Sequence, residues 1–104
     1  MSKYDDKLKA AIHELTANFL QRESNKSSLV TVTRVELTEN AKKAIIFITV
    51  LPDEKEAEAL SFARRQRTEI REKLMTELKL GHPPFIEIEI DKGEKNRQRL
   101  DELS

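Results

Sequence analysis

The chain has 104 residues, no cysteine, and 19 basic against 19 acidic side chains for a formal net charge of zero. That length is one domain with a single modest core, neutrality excludes a global basic field that would draw it onto nucleic acid, and the lack of cysteine excludes disulfides and thiolate metal sites. The longest wholly apolar stretch, residues 44–48, is too short to span a bilayer, and the charged N-terminus lacks a signal-peptide apolar core, so a cytoplasmic protein with no membrane partner is expected.

From about residue 2 to 21, Tyr4, Leu8, Ala11, Ile12, Leu15 and Phe19 recur at helical spacing. Ser2 with Asp5 and Asp6 forms a capping-box-like start. A polar loop at residues 23–28 follows. Residues 29–37 and 44–51 are then rich in Val, Ile, Thr and Phe, and the polar residues 38–43 separate them. This pattern predicts an antiparallel hairpin. Strict alternation in the first strand puts Leu29, Thr31, Thr33, Val35 and Leu37 on one face, with Val30, Val32, Arg34 and Glu36 on the other. The second strand is apolar on both faces, which suits a central strand.

Pro52 ends that strand and Asp53 is placed to cap a helix. A helical stripe of Ala57, Leu60, Ala63, Ile70, Leu74 and Leu78 runs to about residue 80. Arg67 falls in the same phase, which predicts a bend, an exposed segment or a helix-to-helix break there. Gly81 suits the helix C-cap, and Pro83 and Pro84 block continuation. In the next strand Ile86, Ile88 and Ile90 alternate with Phe85, Glu87, Glu89 and Asp91, as in a half-buried strand whose acidic face is solvated. Residues 95–104 place Leu100 and Leu103 at helical spacing in a charged tail expected to dock weakly or fray. Helices and strands with one apolar face each bury one another as a two-layer α+β domain.

Catalytic and metal chemistry finds little support in the residue types. His13 and His82 stand alone, and Glu87, Glu89 and Asp91 have no oxygen-rich loop to complete a cation shell. With glycine only at 81 and 93, neither a phosphate cradle nor a Gly-x-Ser-x-Gly elbow exists. No enzyme activity, metal or cofactor is expected. Residues 63–79 depart from neutrality: six basic residues (Arg64, Arg65, Arg67, Arg71, Lys73 and Lys79) face three glutamates. Arg64, Arg67 and Arg71 lie at i, i+3 and i+7, a row along one side of a helix. Composition alone leaves this row open between a salt-bridged helix face, with Glu69 and Lys73 spaced at i, i+4, and a surface that follows phosphates.

The segment from Gln21-Arg22-Glu23 through residues 29–36 and 44–51 resembles the bacterial ribosome-binding factor A family. Residues 74–91 form a second similar block, and Gly93, Arg97, Leu100 and Leu103 a similar close. The resemblance implies a single type II KH-like domain over residues 1–104, in the order helix, strand, strand, helix, helix, strand, with a three-stranded sheet and helices packed on one face. It implies a small-subunit assembly factor that binds rRNA and assists late maturation, including 5′-end processing and growth in the cold. It also implies a kink at Gln66-Arg67-Thr68, where the family's Ala and Gly are both absent. With it, the basic row reads as RNA-binding through Arg64, Arg65, Arg67, Arg71 and Lys73. Lys42 and Lys43 at the hairpin tip join them, and Lys3, Lys7 and Lys9 on the first helix are auxiliary. The expected partner is the small ribosomal subunit with its rRNA, met by a monomer. The alternative is a protein–protein adaptor that pairs an exposed strand edge with a partner strand.

Overall fold

The elements run α1 (Lys3–Glu23), β1 (Leu29–Thr38), β2 (Lys43–Leu51), a 3-10 turn (Asp53–Lys55), α2 (Glu56–Arg65), α3 (Arg67–Glu77), β3 (Phe85–Ile90) and α4 (Lys92–Leu103). The structure is a computed structural model that describes residues 3–23, 27–38 and 40–103. The Ser2 cap, loop residues 24–26 and the side chains of Lys3 and Leu103 lie outside the described residues. The first six helices and strands follow the order helix, strand, strand, helix, helix, strand.

The sheet has the order β1-β2-β3, so the doubly apolar strand is central. β1 pairs antiparallel with β2, and β3 joins β2 in parallel after the α2–α3 crossover. The faces of β1 differ from strict alternation. Val32 pairs Ile48 and Arg34 pairs Phe47, so Thr33 is looped out as a bulge. A bulge inserts one residue and exchanges the faces beyond it. Val32 and Val35 are therefore both buried, whereas Leu29 and Thr31 are exposed. On the same core face lie Ala44, Ile46, Ile48 and Val50 of β2 and Ile86 and Ile88 of β3.

One side of this sheet carries the core. α1 contributes Leu8, Ile12, Phe19 and Leu20, and also Thr16, a polar residue inside the apolar stripe. Ile12, Ile46, Ile48, Ile70 and Leu74 are fully enclosed. Each such side chain contributes on the order of 1.5–3 kcal/mol by leaving water. Asp53 opens the 3-10 turn, and the N-cap of α2 is Lys55.

The helix break falls where Arg67 predicted it. α2 buries Ala59 and Ala63, and α3 buries Ile70 and Leu74. An unbroken helix would carry Arg67 into the core between them. Instead the chain turns at Gln66 (φ −90°, ψ 3°), whose N–H donates to the Ala63 carbonyl at 3.0 Å. Arg67 stays exposed, and its Nε donates to the Arg64 carbonyl at 2.8 Å, satisfying part of the end of α2. Ala57 is exposed, and Ala59 takes the buried position in its place.

At the end of α3 the glycine expectation is corrected. The left-handed residue is Lys79 (φ 55°), one place beyond the C-cap Leu78, while Gly81 has no positive φ. In the hairpin turn Asn40 and Ala41 are also left-handed, and the Lys42 N–H closes the loop on the Thr38 carbonyl at 3.1 Å.

Candidate nucleic-acid interface

The α2–α3 break presents the arginine row beside the outer edge of β3. The N–H groups of Phe85 and Asp91 donate inward to the carbonyls of Lys42 and Ile48, each at 2.8 Å. By alternation, Ile86, Ile88 and Ile90 turn their peptide groups to the free edge. Arg64 meets that edge: its Nε donates to the Ile88 carbonyl at 3.2 Å, and one terminal nitrogen lies 3.5 Å from Glu89. Arg71 sits further along, donating to the Pro83 carbonyl at 3.4 and 3.1 Å with its guanidinium 4.6 Å from the centre of the Phe85 ring.

Arg65 and Arg67 are less committed. Arg65 donates to the Ser61 hydroxyl at 3.2 Å on its own helix and is exposed. Together with Arg64 the two line an open groove of about 420 Å³ with Ala57, Leu60 and Ser61. Arginine forks can bind a bound phosphate through several donors at once.

Lys73 does not join the row. It lies 4.0 Å from Glu77 and 5.7 Å from the Phe19 ring of α1, on another side of α3. The hairpin tip does join it. The Lys42 carbonyl accepts from Phe85, and Lys43 is the register partner of Phe85 and pairs with Glu87 at 3.1 Å. The backbones of Lys42 and Lys43 therefore lie beside Phe85, the residue whose ring Arg71 meets. Lys7 and Lys9 lie on α1, apart from this edge.

The acidic strand face is not uniformly solvated. Glu87 and Glu89 are paired with Lys43 and Arg64, and Asp91 is buried. Asp91 caps α4, accepting from the Glu94 N–H at 3.1 Å, and it also accepts from Thr33 and Arg34. The Thr33 hydroxyl, more than any other neighbour, holds the Asp91 carboxyl below its ordinary range, with the Glu94 N–H and Arg34 adding to it against the opposing effect of burial. Lys95 of α4 meets Glu56 of α2 at 2.8 Å. Among the described residues, no group of three or more His, Cys, Asp or Glu side chains could hold a metal ion, and no helix is long and apolar enough to cross a membrane.

Phe85 escaped the sequence reading as a site residue. Its signal was present: it is the one aromatic in an alternating strand whose other outward positions are acidic.

A three-stranded sheet with its helices on one face, in this element order and with a break in the crossover helix, defines a type II KH-like domain. A family model for ribosome-binding factor A matches residues 4–104. The chain belongs to the ribosome-binding factor A family. It is 36% identical over 107 residues to ribosome-binding factor A of Trichlorobacter lovleyi, covering 97% of this chain and 85% of that one. To the Clostridium acetobutylicum protein it is 26% identical over 109 residues, covering 99% and 89%. Among solved structures, a Thermotoga maritima protein described as a candidate ribosome binding factor A aligns with a TM-score of 0.74 at 26% identity, covering 89% of this chain and 92% of that one. The crystal structure of the Thermus thermophilus factor shares the fold, with a TM-score of 0.73 at 18% identity over 83% and 93%. A Thermus coordinate set fitted into a cryo-EM map of a 30S–ribosome-binding factor A complex gives 0.68 at 19% over 80% and 90%.

Proposed function

We propose that the chain is a non-catalytic assembly factor that binds the small ribosomal subunit, contacts its rRNA chiefly at phosphates, and assists late maturation, including processing of the rRNA 5′ end. Family membership supports the ribosomal partner, as does the 30S complex described for the Thermus protein. The observation that carries the surface is the arginine row at the α2–α3 break, presented beside a free strand edge. Arg65 and Arg67 lead the contact, Arg64 and Arg71 extend it along β3, and Lys42 and Lys43 continue it at the hairpin tip. Lys73 is peripheral. The factor acts as a cytoplasmic monomer, holding an immature rRNA conformation and leaving when the RNA matures.

The adaptor reading has less support at this edge. A strand added to β3 would have to displace Arg64 from the Ile88 carbonyl.

Co-sedimentation with free small subunits at rising salt tests the proposal. Binding is expected at low salt, weakening steeply as salt rises, because released counterions drive phosphate contacts. Reversing the charge of Arg65, Arg67 and Arg71 together is expected to abolish it. Binding unaffected by that reversal would remove the surface, and its absence at low salt would remove the function.

A further inference from the structure

We propose that Phe85 is a stacking post for one unpaired RNA base at the end of the arginine row. The inference rests on the reading above and adds a contact to bases that phosphate binding alone does not supply. Phe85 opens β3 and is 65% exposed, the most outward aromatic side chain of the described residues. Its neighbours Pro83 and Pro84 are buried, so the turn is anchored while the ring stands out of it.

The ring is already half of a stack. The Arg71 guanidinium lies 4.6 Å from its centre and is fixed there by the Pro83 carbonyl. A cation over one ring face leaves the other face free for a base, and arginine with an aromatic side chain is the common pairing for unstacked bases. Lys43 sits directly across in register, and the Lys42 backbone is bonded to Phe85. Arg71 thus brings a positive charge to the ring, while the neighbouring charges of Lys43 and Glu87 pair with each other. That balance favours a nucleic-acid strand over an apolar protein segment as occupant. A strand running along Arg64, Arg67 and Arg71 would arrive at the ring.

Fluorescence anisotropy with a labelled oligouridylate of about ten nucleotides, and with an abasic oligonucleotide of the same length, tests this. Phe85→Ala is expected to weaken oligouridylate binding about ten- to a hundredfold and to leave abasic binding unchanged. Because the side chain is exposed, this variant should fold. Phe85→Trp is expected to retain affinity, with indole emission quenched by oligouridylate and not by the abasic chain. Wild-type oligouridylate affinity in Phe85→Ala, alongside a loss on reversing Arg65 and Arg67, would overturn the stacking and spare the RNA reading. Loss of small-subunit binding in Phe85→Ala with RNA affinity intact would assign the ring to a protein contact. A wild-type chain that binds neither oligonucleotide at low salt would overturn the stacking, whereas the proposed function falls only with small-subunit binding.

Discussion

The Thr33 hydroxyl donates to Asp91 Oδ2 at 2.6 Å, tying the bulge of β1 to the cap of α4 across 58 residues of chain. Arg34 adds a second donor to the same oxygen at 3.3 Å, and its guanidinium covers the Phe47 ring at 3.9 Å. The bulge is what turns Thr33 and Arg34 to this use. One carboxylate therefore holds the first strand, the end of the third and the start of the last helix together.

Asp91 should make stability depend on acid pH. Its folded carboxyl binds a proton less readily than the ordinary value of 3.8. The stabilisation it contributes is therefore complete above that value and is lost as pH falls through the lower, folded one. Asp91→Asn keeps a helix cap and removes the charge. At neutral pH it should cost about 1–3 kcal/mol by denaturant unfolding, and the gap from wild type should narrow on acidification below about pH 4. A gap that stays constant through that range contradicts the assignment.

Lys79→Gly should stabilise the fold, and Ala41→Gly should do so less, because the Ala41 methyl packs against the core. Both positions have φ near +60° (55° and 66°), where a Cβ costs roughly 1–2 kcal/mol. The added freedom of glycine in the unfolded chain offsets about 0.4–1 kcal/mol. A net gain of about 0.5–1 kcal/mol at Lys79 would raise Tm by several degrees in a domain of this size. Thermal unfolding checks it, and a fall in Tm for Lys79→Gly contradicts the strain argument.

Charge reversals should separate anchoring arginines from binding ones. Arg64→Glu and Arg71→Glu each break a bond to a backbone carbonyl, so each should lower stability by about 1 kcal/mol as well as weaken RNA binding. Arg65→Glu removes an exposed bond within one helix. It should leave stability within about 0.5 kcal/mol and lower the salt dependence of RNA binding by about one phosphate contact. Equal stability losses in all three would contradict this division.

Much of the architecture was readable because it rests on local periodicity. The hairpin, the central β2, the alternating β3 and the break at Arg67 all follow from apolar spacing. What escaped depends on partners distant in sequence. The Thr33 bulge exists only against β2, and it reverses which residues of β1 face the core. Asp91 looked like one more solvated acid because Thr33 is 58 positions away. The left-handed turn fell to Lys79 rather than Gly81 because α3 ends at Glu77, earlier than the apolar pattern does. At the site, the arginine row was legible as a helical spacing. Its seating on the β3 edge, the separation of Lys73 and the meeting of Arg71 with the hairpin tip at Phe85 required the crossover.

Crosslinking the chain to free small subunits and mapping the joined peptides tests the central claim most directly. Crosslinks to rRNA are expected from the α2–α3 break around Arg65 and Arg67, with further ones from the hairpin tip at Lys42 and Lys43. Crosslinks confined to ribosomal proteins, or RNA crosslinks arising only from α1 or α4, would contradict it.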